Sequence, residues 1–359
     1  MNKCTLCIKP INENNQTDEH VIPQAIGGRL KVKDFICITC NNKSGHQWDS
    51  ILSDQLSFFS TSLNIKREKK LPNYLVKTLD GKEYLRQPNG DFILIRPMDN
   101  VIKNKDGSFN VKIEAPNLKV AKDLIKKVIK ENNLSSSAQD LMLKNIKYSS
   151  SPIDQLIVNE INFGGIESGK SLVKTALAMA FTIGIDLKQC DLATGYLLEN
   201  KEACFGYFYS KNKDFIKNRE DIPFHCVHIK ACSASRRVYG YIEYFGAFRI
   251  VLSMASNYLG EDKVGSYMID PINSRKIDLD IDLDVNDDDI QRIYNYEMYD
   301  PEEYKNAIGT ILGLIVEKSR TNNMKNRLND VLKRWDDAKT YEQNMRESIE
   351  FLIPYYRDF

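Results

Sequence analysis

Four cysteines near the start of the chain fall in two C-x2-C pairs, Cys4 with Cys7 and Cys37 with Cys40, with 29 residues between the pairs. This spacing constrains the segment more than any propensity does. Residues 1 to about 55 are rich in Cys, Gly, Asn and His and poor in large apolar side chains. Such a piece buries too little surface to fold unaided. Two C-x2-C pairs can each wrap a zinc knuckle, and together their four thiolates close a tetrahedral Zn2+ site. Metal binding then supplies the folding free energy that the missing core does not. A closed Cys4 site keeps no open position, so the zinc is scaffold and not a hydrolytic centre. The other cysteines, at 190, 204, 226 and 232, are scattered.

The rest of the composition is that of an ordered globular chain, and 359 residues suggest two or three domains. Lys+Arg 50 against Asp+Glu 49 leaves a net charge of +1, so affinity for nucleic acid has to come from local patches. The opening MNKCTLCIKP has no long apolar run, and the longest apolar stretch, Leu177 to Ile185, is far short of a membrane span. The chain is therefore expected to be soluble and cytoplasmic, with no membrane partner. In that compartment disulfides are a poor explanation for tight C-x2-C pairs.

The fold class reads as α+β: a zinc-stapled N-terminal domain over 1–58, a strand-rich then helical region over 59–150, and an α+β domain over 151–359 serving recognition, regulation or dimerisation. Strands are expected at Tyr74–Thr78, Glu83–Arg86, Phe92–Arg96 and Phe109–Ile113, separated by turns at Asp80-Gly81, Asn89-Gly90 and Asp106-Gly107. Apolar Val120, Leu124 and Val128 predict a helix over 118–130. The serine-bearing stretch 132–151 reads as a linker or exposed loop. Beyond it come an apolar helix over 171–185, paired strands over 226–232 and 238–253, and amphipathic helices over 302–335 (at least two) and 341–356.

Between the knuckles lies Asp18-Glu19-His20-Val21-Ile22-Pro23, then Gly27-Gly28, Asp34, and Cys40-Asn41-Asn42-Lys43-Ser44-Gly45, with Asp49 beyond. This succession resembles the HNH endonucleases, in the branch whose ββα-metal core is clasped by a Cys4 zinc. The resemblance covers residues 4–55. It implies a DNA endonuclease in which His20 is the general base, while Glu19 and Asn41 hold one Mg2+ or Mn2+. Hard oxygen ligands suit that cation as thiolates suit zinc. The asparagine that positions the base in the family would fall near Asp34, an aspartate that can still accept from an imidazole N–H. Asn42 and His46, at i and i+4, offer a second way to hold a cation. One such site cuts one strand, so a double-strand break needs a homodimer or two nicks. The fusion of a small HNH segment to a long body resembles restriction or antiviral defence nucleases, and an activating ligand sensed by the body stays open. The competing reading is a non-catalytic zinc module that binds nucleic acid, but such a module needs neither the acidic-His pair nor Asn41.

Three other signals carry less. Gly164 to Ser171, GGIESGKS, fits the phosphate-binding pattern GxxxxGK[ST]. It lacks a good strand before it and an aspartate-ended strand after it, so a helix N-terminus is the preferred reading. Ile277 to Val285 alternates apolar residues with Asp278, Asp280, Asp282 and Asp284, as a strand with one solvated face would. Cys226, His228 and Cys232 share a strand face without a fourth ligand. Lys66 to Lys70 forms a mostly basic run, and the basic patches at 119–130, 236–237 and 318–334 are candidates for phosphate contact.

Overall fold

The computed structural model describes residues 3–356 apart from 69, 89, 147–156, 159 and 220–221, with side chains up to 353. The chain is a mixture of helix and sheet, and it divides into two compact units whose segments alternate along the sequence. One comprises Met1–Leu71 with Ile161–Ser319, the other Pro72–Glu160 with Arg320–Phe359. The expected segment 1–58 thus lies in the first unit, 59–150 mostly in the second, and 151–359 in both.

The chain opens with a hairpin, β1 (Asp18–His20) antiparallel to β2 (Lys31–Lys33), in the register Asp18↔Lys33, Glu19↔Val32, His20↔Lys31. Helix α1 (Ile38–Ser44) starts at Cys37 and continues through a π-helical turn, Gly45–Asp49, into α2 (Ser50–Gln55) and then α3 (Ser57–Ser62). This is the ββα order that the N-terminal motifs lead one to expect.

The second unit starts with a sheet ordered β5-β4-β3-β8: β3 (Tyr74–Thr78), β4 (Glu83–Arg86), β5 (Phe92–Leu94) and β8 (Ile157–Val158). A separate hairpin, β6 (Met98–Lys103) with β7 (Phe109–Glu114), is followed by α4 (Leu118–Glu131) and α5 (Ser136–Lys144). The turns at Gly81 and Gly107 have positive φ, as their Asp-Gly pairs require. The Asn89 turn and residues 147–151 lie outside the described residues. The serine stretch is corrected here: it contains α5, because Ser135 caps the helix by accepting from the Ala138 N–H.

Back in the first unit, α6 (Ile166–Thr182) and α7 (Asp191–Glu199) precede a six-stranded antiparallel sheet ordered β15-β14-β11-β12-β13-β9. Its strands are β9 (Phe205–Tyr207), β11 (His225–Cys232), β12 (Arg237–Tyr244), β13 (Phe248–Ala255), β14 (Lys263–Asp270) and β15 (Arg275–Lys276). The expected strand over 238–253 is two strands, reversed at Phe245-Gly246, both in positive φ. All eight residues of β13 are buried, which tells of a sheet covered on both faces. One face belongs to a core that also holds Val21, Ile22, Phe35, Leu52 and Phe59 of the N-terminal segment and Leu172, Val173 and Leu177 of α6. The other is covered by a smaller cluster around Phe208, Phe215 and Ile290.

That second cluster explains the aspartate-rich stretch. Only β16 (Asp280–Ile281) is strand, paired with β10 (Ile216–Lys217), so the nine-residue strand is not formed. The alternation survives as packing: Ile277, Leu279, Ile281, Leu283 and Val285 all touch the smaller cluster. Helices α8 (Asp287–Tyr294), α9 (Pro301–Arg334) and α10 (Tyr341–Tyr356) complete the chain. The expectation of at least two helices over 302–335 is corrected to one of 34 residues, since no proline or capping glycine interrupts it.

Candidate active site and metal centres

The four Sγ atoms of Cys4, Cys7, Cys37 and Cys40 lie within 4.8 Å of one another. Cys7 and Cys37 stand 3.8 Å apart. That equals the edge, about 3.8 Å, of a tetrahedron whose centre lies about 2.3 Å from each corner, as zinc–sulfur bonds require. The donor set and spacing therefore fit Zn2+, and it is the one group of three or more Cys, His, Asp or Glu side chains among the described residues that could hold a metal. Local backbone bonds shape it: Cys4 N–H donates to Lys9 O at 2.8 Å, and Thr5 is tied to Phe35 O through both N–H and hydroxyl.

His20 ends β1, half buried, opposite Lys31. Its ring makes no hydrogen bond among the described residues. Burial, and then the positive charge of Lys31, push its pKa below the ordinary value, so the imidazole is neutral at pH 7. Asn41, on the first turn of α1, donates from Nδ2 to Thr17 Oγ1 at 3.0 Å, which joins the helix to the start of β1. Its Oδ1 is left as the acceptor.

Asp34 is not brought to His20. It follows β2 in a left-handed conformation (φ 61°), three residues beyond Lys31, the partner of His20. Three residues of extended chain are about 10 Å, and no hydrogen bond joins the two among the described residues. Asn42 and His46 are exposed, whereas Glu19 is 5% exposed.

Glu19 itself is engaged in a way the sequence reading did not foresee. Its Oε1 is 2.5 Å from Nζ of Lys174, in the middle of α6, and the same ammonium is 2.5 Å from Oδ2 of Asp49. Asp49 Oδ1 accepts from Ser171 Oγ at 2.6 Å. The lysine is 1% exposed. Burial alone would pull its ammonium down, but Asp49 and Glu19 outweigh it and hold the pKa above the ordinary value. Burial pushes the Glu19 carboxyl up against the pull of Lys174. A carboxylate and a carboxamide suit a hard divalent cation by donor type, yet the lysine cation already sits between the two acids. Lys174 was visible in one respect: it is the lone charge in the run Leu172 to Ala180, and a buried charge needs a partner.

The phosphate-loop pattern is absorbed by the same contact. Helix α6 begins at Ile166, so Glu167 to Ser171 are helical and do not form a loop that could cradle phosphate. Gln55 holds the entry, donating to Gly164 O and accepting from Gly164 N–H and Ser168 Oγ. Lys170 points outward to Asn200 Oδ1 at 2.9 Å, over the Trp48 ring. Further ties join the N-terminal segment to the sheet: Tyr267 OH accepts from Arg29 and Leu30 N–H, and His225 Nε2 meets Ile26 O at 2.7 Å. His228, considered with Cys226 and Cys232, instead bonds Ser266 Oγ at 2.7 Å.

Residues 4–57 match the family model described as HNH endonuclease. The chain thus carries an HNH endonuclease domain, the domain type of nucleases, and no helix among the described residues is long and apolar enough to cross a membrane. Comparison with curated proteins and with solved structures finds no match.

Proposed function

We propose that this protein is a metal-dependent DNA endonuclease acting through His20. The match of residues 4–57 to the HNH endonucleases carries the reading. The half-buried, neutral imidazole of His20, with no hydrogen-bond partner among the described residues, is suited to take a proton from the attacking water. Asn41, anchored to Thr17, and Glu19 would hold a Mg2+ or Mn2+ ion. When bound, that ion supplies charge neutralisation at the phosphorane and the departing 3′ oxygen. Glu19 becomes available to it only when the ammonium of Lys174 lets go, and Asp49 is the acid that would keep the lysine. Asp34, left-handed after β2, makes no hydrogen bond to His20 among the described residues, and the ring-orienting role that the resemblance implies for it is not part of this reading. Zn2+ on Cys4, Cys7, Cys37 and Cys40 stays structural. A restriction or antiviral setting, a homodimer and a ligand-sensing body belong to the proposal as well, on the fused architecture alone.

The test is cleavage of supercoiled plasmid with Mg2+, Mn2+ or EDTA, wild type beside His20→Ala. Cation-dependent nicking or linearisation that falls by about 10²- to 10⁴-fold in the variant, at unchanged melting temperature, supports the reading. Equal cleavage by both proteins removes His20 from the chemistry.

A further inference from the structure

The basic run after α3 meets the end of the first unit at a cleft. Lys66, Arg67 and Lys70 line it together with Lys318 of α9, around a volume of about 660 Å3. Among the described residues, no carboxylate lies within 4 Å of any of these four cations. The nearby acids are spent elsewhere: Glu68 faces Lys31 at 3.7 Å, and Asp270 holds Arg275 and Asn273. Two of the cations are also incompletely satisfied. Arg67 Nε is buried without a hydrogen-bond partner, although Nη1 donates to Ala25 O. Lys318, whose Nζ donates to Leu63 O, has its pKa pulled down chiefly by burial. Four like charges in one cleft repel one another, and an anion removes that cost.

We propose that this cleft binds a backbone phosphate of the DNA strand that the HNH site cuts, an inference that rests on the nuclease reading above. Two observations favour a strand over a free nucleotide. Among the described residues the lining has no aromatic side chain on which a base could stack, while the amide of Asn64 adds a donor for phosphate oxygens. Contacts also link the segment that lines the cleft to the surroundings of His20. Arg29 Nη2 donates to Lys66 O at 2.7 Å, Lys31 pairs with Glu68, and Arg29, Lys31 and Glu68 all act on the charge of the His20 ring. A chain with a net charge of only +1 needs such a local concentration to hold a polyanion.

The experiment measures binding of a labelled 30-base-pair duplex by the zinc-loaded protein, with no added Mg2+ or Mn2+, across a series of salt concentrations. It compares wild type with Lys66→Gln/Lys70→Gln, two exposed lysines with no carboxylate partner among the described residues. The double variant should bind about 10-fold or more weaker at moderate salt, and its slope of log K against log salt should be smaller by about 2. Lys66→Arg/Lys70→Arg should keep the slope, and the exposed control pair Lys188→Gln/Lys201→Gln should leave it unchanged. An unchanged slope and affinity in a folded Lys66→Gln/Lys70→Gln protein, while wild type binds and cleaves, overturns the cleft and leaves the nuclease reading intact. Wild type that neither binds nor cleaves DNA overturns both. A nucleoside triphosphate that raises the melting temperature of wild type but not of the variant, without competing with DNA, overturns the proposal in favour of a small phosphate ligand.

Discussion

The N-terminal segment holds two clusters of groups that favour a negative charge, and they are solved differently. At the knuckles, four thiols converge within 4.8 Å, and every member comes from the first forty residues. At the hairpin, Glu19 and Asp49 converge on an ammonium that comes from Lys174, 155 residues after Glu19. The first cluster has the donor set to take an ion from solution, while the second is closed by the protein's own cation. The difference teaches that the HNH segment is only half autonomous: its cysteine cluster is built from its own residues, while α6 completes its electrostatics.

Breaking the first cluster should have the largest effect. Apparent zinc-binding free energies for structural sites are about 10 kcal/mol or more, so chelation or Cys37→Ser should unfold the hairpin and α1. Because Val21, Ile22, Phe35 and Leu52 share a core with the sheet, the first unit should lose cooperative melting as well. Zinc content measured beside calorimetry checks this. A variant without zinc whose main transition is unmoved would make the segment a dispensable bead and reverse the comparison.

Lys174→Met breaks the second cluster, leaving two acids without their buried counter-cation. Loss of one partner of a buried pair costs about 3–5 kcal/mol, read as a lower denaturant midpoint. Glu19→Gln on the same background should cost much less than it does in wild type, with a coupling of at least about 1 kcal/mol. If Glu19 is a cation ligand, the Lys174→Met enzyme should also need less Mg2+ for half-maximal cleavage. Additive effects of the two substitutions would show that the 2.5 Å contact carries no energy.

The same contrast explains what was legible in the sequence. Cys4, Cys7, Cys37 and Cys40 were readable because each ligand's partner lies within forty residues, in a spacing that few other needs produce. The strands β3 and β4 and the helix α4 were readable from periodicity bounded by turn residues. The burial of Glu19 was not, because its cause is a helix from another part of the chain. GGIESGKS misleads for the same reason: its small residues and hydroxyls are selected by close contact with Gln55 and Asp49, not by a phosphate. The aspartate stretch 277–285 shows the reverse case, where the period correctly marks an apolar face but backbone pairing covers only two residues.

A third join between segment and body is neutral, and pH should weaken it. His225 is fully buried, donates from Nε2 to Ile26 O and accepts the Phe245 N–H at Nδ1. Burial lowers its pKa to about 4. Between that value and the unfolded one, near 6.5, the unfolded chain binds a proton that the folded chain refuses. Its contribution is therefore complete above about pH 6.5 and is lost as pH falls toward 4, on the order of 3 kcal/mol in all. His20 and His228 shift in the same direction, so the check is the difference in stability between wild type and His225→Gln at pH 7 and pH 5. Glutamine keeps a donor for Ile26 O and does not titrate, and the gap should narrow on acidification.

The smallest effect sharpens the comparison most. Lys170 and Lys174 stand one turn apart on α6, yet the first reaches Asn200 at the surface and the second two buried acids. A solvent-facing bond of a lysine that can hydrate freely is worth little, so Lys170→Ala should change stability by less than about 1 kcal/mol. Plasmid cleavage should persist, and no nucleotide affinity should be lost, because the lysine of the GxxxxGK[ST] pattern lies on a helix face and not over a phosphate loop. A large loss of nucleotide binding in Lys170→Ala would mean that α6 unwinds at its first turn to form such a loop. It would then release Ser171 from Asp49, and the second cluster would become a switch rather than a fixed join.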